Sequence, residues 1–124
     1  MTLTARRENF KIIRTSIMEH RNIPDSIKKK LCLAAEEIFV NICSYAYGGT
    51  SGSVDFSIEV SDQITMTFQD EGAPFNPLNN QTDTDGYDLD TQIGGLGRLI
   101  AFGFADNVIY EYKNSRNVLN LTFS

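Results

Sequence analysis

From residue 54 onward the chain alternates between apolar and polar positions. Val54, Phe56, Ile58 and Val60 fall on one beat with Asp55, Ser57 and Glu59 between them, and Ile64, Met66 and Phe68 repeat the pattern. A period of two belongs to a pleated strand with one buried face, so the spacing predicts two strands joined around Asp62 and Gln63. The second strand ends on an anomaly. In QITMTFQD the aspartate, Asp70, arrives on the apolar beat. A buried carboxylate costs several kcal/mol unless its oxygens are bound, so it needs a partner in the protein or in a ligand. Gly72, Pro74 and Pro77 follow, one permissive residue and two without a backbone donor, which describes a strand end opening onto a cavity. The competing reading is that Asp70 caps a loop, a common role for aspartate.

Upstream the period changes to that of a helix. Phe10, Ile13, Ile17 and Met18 predict an amphipathic helix over about 8–21, which residues 22–24 break. Asp25 or Ser26 can cap a second helix whose buried stripe is Ile27, Leu31, Ala34, Ile38 and Ile42, running to about residue 46 before the glycines of 48–52 end it. Downstream, residues 76–92 are polar, acidic and too long for a routine connection, as in a lid or binding loop. IGGLGRLIAFGF, residues 93–104, reads as a glycine turn opening a helix. Two more strands follow over about 106–112 and 117–123, with a turn at Asn114 and Ser115. The order helix, helix, strand, strand, loop, helix, strand, strand predicts an α/β protein of the α+β two-layer kind. Its sheet is mostly antiparallel with helices on one face, and a doubly wound parallel sheet is excluded.

Composition narrows the function classes. At 124 residues, 41% hydrophobic and 22% charged, the chain is expected to form a single domain over 1–124. A net charge of -5 argues against direct, sequence-independent nucleic-acid binding. Neither a signal peptide nor a membrane span is expected, which makes a cytoplasmic location the default. Cys32 and Cys43 fall on one helix about 16 Å apart, beyond disulfide reach, so both are expected as free thiols. The single histidine, His20, offers no metal cluster or catalytic triad and is expected on a helix surface.

Two further stretches carry candidate chemistry. LAAEEIFVN places Glu37 and Asn41 at i and i+4, so they leave the same face of the second helix beside its buried stripe. Alone, such a pair is more often a solvated flank. GGLG, Gly94 to Gly97, can bring backbone N–H groups to phosphate at a helix start. It fits neither the P-loop pattern nor the Rossmann fingerprint.

Taken in order, ExxxN on a helix, DEGxPFxP after a strand, IGGLG after a lid-like loop and a closing strand NVLNLTF resemble the GHKL (Bergerat-fold) ATPases, and among them the small bacterial anti-sigma-factor serine/threonine kinases. The resemblance spans nearly the whole chain, and it implies ATP and Mg²⁺ as cofactors. It implies Asn41 as a magnesium ligand, Glu37 as the general base and Asp70 as acceptor for the adenine amino group, with Gly72 letting the base lie close to the backbone. Gly94, Gly95, Leu96, Gly97 and Arg98 would line the phosphates under a lid at about 76–92. The sequence departs from the family pattern at Asn76, where PFDP is common, and at Ser44 and Tyr45, where a basic residue and a histidine are often found. It departs again at Arg98, which either neutralises γ-phosphate charge or faces solvent. The activity so implied is ATP-dependent phosphorylation of a STAS-type anti-sigma-factor antagonist, with a sigma factor and a second copy of the chain as further partners. The alternatives are a non-catalytic regulatory module that binds nucleotide or partner, and a detached histidine-kinase catalytic domain.

Overall fold

A computed structural model describes residues 1–48, 50–74, 103 and 105–124. Five strands and two α-helices are found among them: β1 (Thr2–Thr4), α1 (Phe10–Met18) after a 3-10 turn at Arg7–Asn9, α2 (Asp25–Tyr45), β2 (Ser53–Val60), β3 (Ile64–Asp70), β4 (Asn107–Lys113) and β5 (Arg116–Phe123). The strands form one sheet in the order β1-β2-β3-β5-β4, with every described pairing antiparallel. Both helices cover the same face.

Strand alternation determines that face. Phe56 lies opposite Phe68, which in turn lies opposite Leu119, while Met66 lies opposite Leu121. These five side chains are almost entirely buried, with the Phe56 and Phe68 rings 5.1 Å apart. Ile13 and Ile17 of α1 and Leu31, Ala34, Ala35, Ile38 and Phe39 of α2 close the core from above. Burying side chains of this size stabilises the fold by roughly 1.5–3 kcal/mol each.

Among the described residues the predicted elements are recovered with three differences. β1 escapes the periodic reading because it is three residues long with a single apolar position, Leu3, opposite Val54. Helix α1 stops at Met18, which is 40% exposed, and Lys28 Nζ donates to the Met18 carbonyl at 2.8 Å, so α2 closes the end of α1. His20 therefore lies in the connection, where its Nδ1 accepts the Asn22 N–H. At the start of α2 the capping position is Pro24, at φ −59° and ψ 137°, without a side-chain cap. Asp25 is instead the first helical residue, its negative charge placed favourably near the helix N-terminus and paired with Lys28 at 3.1 Å. The β4–β5 hairpin turns at Asn114 and Ser115, as expected. Both have positive φ (55° and 61°), the conformation of a two-residue turn that follows the sheet's twist.

Candidate functional site

At one end of the sheet two polar residues lie on apolar beats of neighbouring strands and face each other. Asp70, the last residue of β3, is in register with Asn117, the second residue of β5. They are 5% and 6% exposed, the buried polar residues among those described. Asp70 Oδ1 accepts the Gly72 N–H and one N–H of Asn117 Nδ2, each at 2.9 Å. Asn117 Nδ2 also donates to the Ala73 carbonyl at 2.9 Å, and the Tyr110 hydroxyl donates to Asn117 Oδ1. Both readings of Asp70 from sequence are thus realised: it caps the following turn and it is buried in the core-facing layer. Its Oδ2 has no hydrogen-bond partner among the described residues. A buried carboxylate oxygen left in this state suits a ligand donor.

The exit from β3 is locked onto the end of α2. A Cβ on Gly72 would lie 2.2 Å from the Ala46 carbonyl oxygen and 2.7 Å from its carbon, so no other residue fits without moving the backbone. Packing against the end of α2 is therefore the reason for glycine that the structure supplies, where the sequence suggested backbone freedom and close approach of a ligand. Tyr47 completes the lock: its hydroxyl donates to the Ser53 carbonyl and accepts the Glu71 N–H at 2.9 Å, joining the end of α2 to β2 and to the residue after Asp70.

Glu37 and Asn41 lie on α2, both half-buried, one turn apart on the flank of the stripe formed by Ile38 and Ile42. The Asn41 side chain forms no hydrogen bond to the described residues, so its carboxamide is open to water or a ligand. Of the residues singled out from sequence, Glu37 and Asn41 lie in the C-terminal half of α2, and Asp70 and Gly72 lie at the strand exit that packs against the end of that helix. Gly94, Gly95, Leu96, Gly97, Arg98, the helix over 93–104 apart from Gly103, and the lid at about 76–92 lie outside the described residues, as does Asn76. Sequence reasoning missed Asn117, Tyr110 and Tyr47. For Asn117 a signal existed: it shares the beat of Leu119, Leu121 and Phe123, the same anomaly that singled out Asp70.

Other candidate chemistry is weak. Burial pushes the Cys32 and Cys43 thiols above their ordinary range, and both are free. Among the described residues no three His, Cys, Asp or Glu cluster as a metal site, and no helix is long and apolar enough to cross a membrane. A shallow open groove on α1 is lined by Lys11, Ile12, Thr15, Ser16 and Glu19 and includes none of the site residues.

This architecture, an antiparallel sheet covered on one face with a buried aspartate at the strand end, is that of a histidine kinase-like ATPase. The family model of the histidine kinase-like ATPase domain matches residues 3–123, and the chain belongs to that family, within the GHKL superfamily. The histidine kinase domain of the blue-light activated histidine kinase from Erythrobacter litoralis EL346 shares the fold, with a TM-score of 0.61 at 13% identity over 94% of this chain. The chain spans 59% of the length of that structure. No curated protein matches the chain in sequence. Family membership implies ATP binding, and the residues present fit it: a buried carboxylate oxygen without a described partner, and a carboxamide open on the adjoining helix.

Proposed function

We propose that the chain is an ATP-dependent serine/threonine protein kinase of the anti-sigma-factor type, which phosphorylates a STAS-type anti-sigma-factor antagonist and binds a sigma factor. The observation that supports it best is the placement of Glu37 and Asn41 one turn apart on α2, the helix whose end abuts Gly72, two residues after the buried Asp70. In this reading Asp70 Oδ2 accepts the adenine amino group, which favours adenine over a base with a carbonyl there. Asn41 would be the protein ligand holding Mg²⁺, which would offset the negative charge of the phosphates. Glu37 accepts the proton of the substrate serine hydroxyl as that oxygen attacks the γ-phosphorus. The bond from the γ-phosphorus to the bridging oxygen breaks, and ADP leaves with the electron pair. Most of the rate comes from positioning and charge stabilisation.

The likeness to a histidine kinase domain supports a second reading, in which the phosphoryl acceptor is a histidine. One experiment separates the readings. Incubated with γ-labelled ATP and a STAS antagonist, the natural protein should produce an acid-stable phosphoserine, and Glu37→Gln should lower that rate by at least about 100-fold while still binding ATP. An acid-labile label would favour the histidine reading. Tight complex formation without transfer would favour a regulatory binding module, and full activity of Glu37→Gln would remove it as the base.

A further inference from the structure

The face of α2 that carries Glu37 and Asn41 continues to Ser44. The three residues stand at i, i+4 and i+7 and so form one row along the helix. Ser44 follows Asn41 by about 4.5 Å along the axis. Its hydroxyl is engaged by a residue from far away in sequence: Arg7 Nη2 donates to Ser44 Oγ at 3.0 Å.

Arg7 reaches this position because its backbone is held on both sides. β1 pairs with β2 through Leu3 and Val54, and the Ala5 N–H donates to the Gly52 carbonyl at 2.9 Å. Asn9 Nδ2 donates back to the Thr4 carbonyl at 2.8 Å, bracing the 3-10 turn on which Arg7 sits before α1 begins. The guanidinium itself is exposed, and Ser44 occupies one of its five N–H donors. Its charge also acts on the neighbouring Cys43 thiol, against the effect of burial.

We propose that Arg7 is a phosphate-binding residue of the nucleotide site, delivered by the N-terminal turn to the row of Glu37, Asn41 and Ser44. This rests on the nucleotide reading above and deepens it. Glu37 and Asp70 are both carboxylates, and a triphosphate brings further negative charge to a chain of net charge -5, so binding needs cations at the rim. A planar guanidinium braced by a serine hydroxyl is suited to phosphate oxygens. The inferred role makes β1 and the 3-10 turn part of the binding apparatus.

The test is calorimetric titration of the whole chain with Mg²⁺-ATP, alongside melting of the ligand-free proteins. Arg7→Gln should weaken ATP binding about tenfold, the worth of one charge-assisted hydrogen bond at an exposed rim, with the ligand-free melting temperature unchanged. Arg7→Lys, which keeps the charge but not the planar fork, should recover only part of the lost affinity. ATP bound by Arg7→Gln as tightly as by the natural protein would overturn the proposal. So would a loss matched by an equal fall in ligand-free stability, which would make the contact with Ser44 structural. Failure of the natural protein itself to bind ATP would instead overturn the nucleotide reading, and this proposal with it.

Discussion

Gln69 and Asp70 are neighbours on β3, and Arg116 and Asn117 are neighbours on β5, yet each strand sends its two side chains into opposite surroundings. On the helix-covered face Asp70 and Asn117 are 5% and 6% exposed and hold each other at 2.9 Å. On the open face Arg116 donates to Gln69 Oε1 at 3.2 Å and pairs with Asp55 at 3.0 Å, with Glu71 farther off at 3.9 Å. Asp55 in turn accepts the Thr2 hydroxyl, which ties the edge strand β1 to the network. Arg116 and Asp55 keep 32% and 30% of their side-chain surface in water. The contrast follows from strand periodicity: a shift of one residue decides whether a polar group is a screened surface contact or a buried one that must be satisfied. Asp70 Oδ2 is a buried carboxylate oxygen without a partner among the described residues, which is why the site is placed there.

The sharpest way to break this contrast is to remove the buried donor. Asn117→Leu takes away one of the two hydrogen bonds to Asp70 Oδ1 and leaves the carboxylate among apolar neighbours, so unfolding stability should fall by about 2–4 kcal/mol, read from urea midpoints. A loss under about 1 kcal/mol would show that the pair is not the constraint described. On the open face Arg116→Ala, although it removes contacts to three side chains, should cost only about 0–1 kcal/mol and less still in 1 M salt, because the pairs are partly exposed and screened. A salt-independent loss would place Arg116 in the class of Asn117.

Asp55→Asn should have the smallest effect, and one that depends on pH. The Thr2 hydroxyl first, and then Arg116, hold the Asp55 carboxyl below its ordinary range, while slight burial opposes them. A carboxyl depressed in the folded state adds stability above its unfolded pKa of about 3.9 and loses it as pH falls through the folded value. The natural protein should therefore be slightly more stable than Asp55→Asn at pH 7, and the difference should start to shrink as the pH falls below about 4 and be lost as Asp55 is protonated in the folded state. A difference that does not shrink as the pH is lowered would contradict the assigned cause.

Much of this organisation is legible in the sequence because it is periodic. Strands β2, β3 and β5 announce themselves by alternation, and α2 by a stripe from Leu31 to Ile38 that is buried as expected. Asp70 is conspicuous because a charge on an apolar beat is costly. Its partner Asn117 breaks the same beat more quietly, and the pairing of residues 47 apart depends on strand order, which one sequence does not display. The contacts of Gly72 with Ala46 and of Arg7 with Ser44 are likewise products of tertiary placement. β1 is too short to have a period at all. The end of α1 is harder to read because Lys28 of α2 reaches across the connection to the Met18 carbonyl, and at the start of α2 Pro24 takes the capping position without a side-chain bond.

The measurement that bears most directly on the central claim is thermal melting of the natural protein and of Asp70→Asn with ATP, with and without Mg²⁺. Ligand present at about 100 times its dissociation constant should stabilise the natural protein by roughly 2.7 kcal/mol, a rise of several degrees that depends on magnesium. In Asp70→Asn, whose carboxamide can turn an N–H toward the adenine amino group, the rise should disappear. An equal rise in both proteins would contradict adenine recognition by Asp70, and no rise in either would contradict a nucleotide site at this end of the sheet.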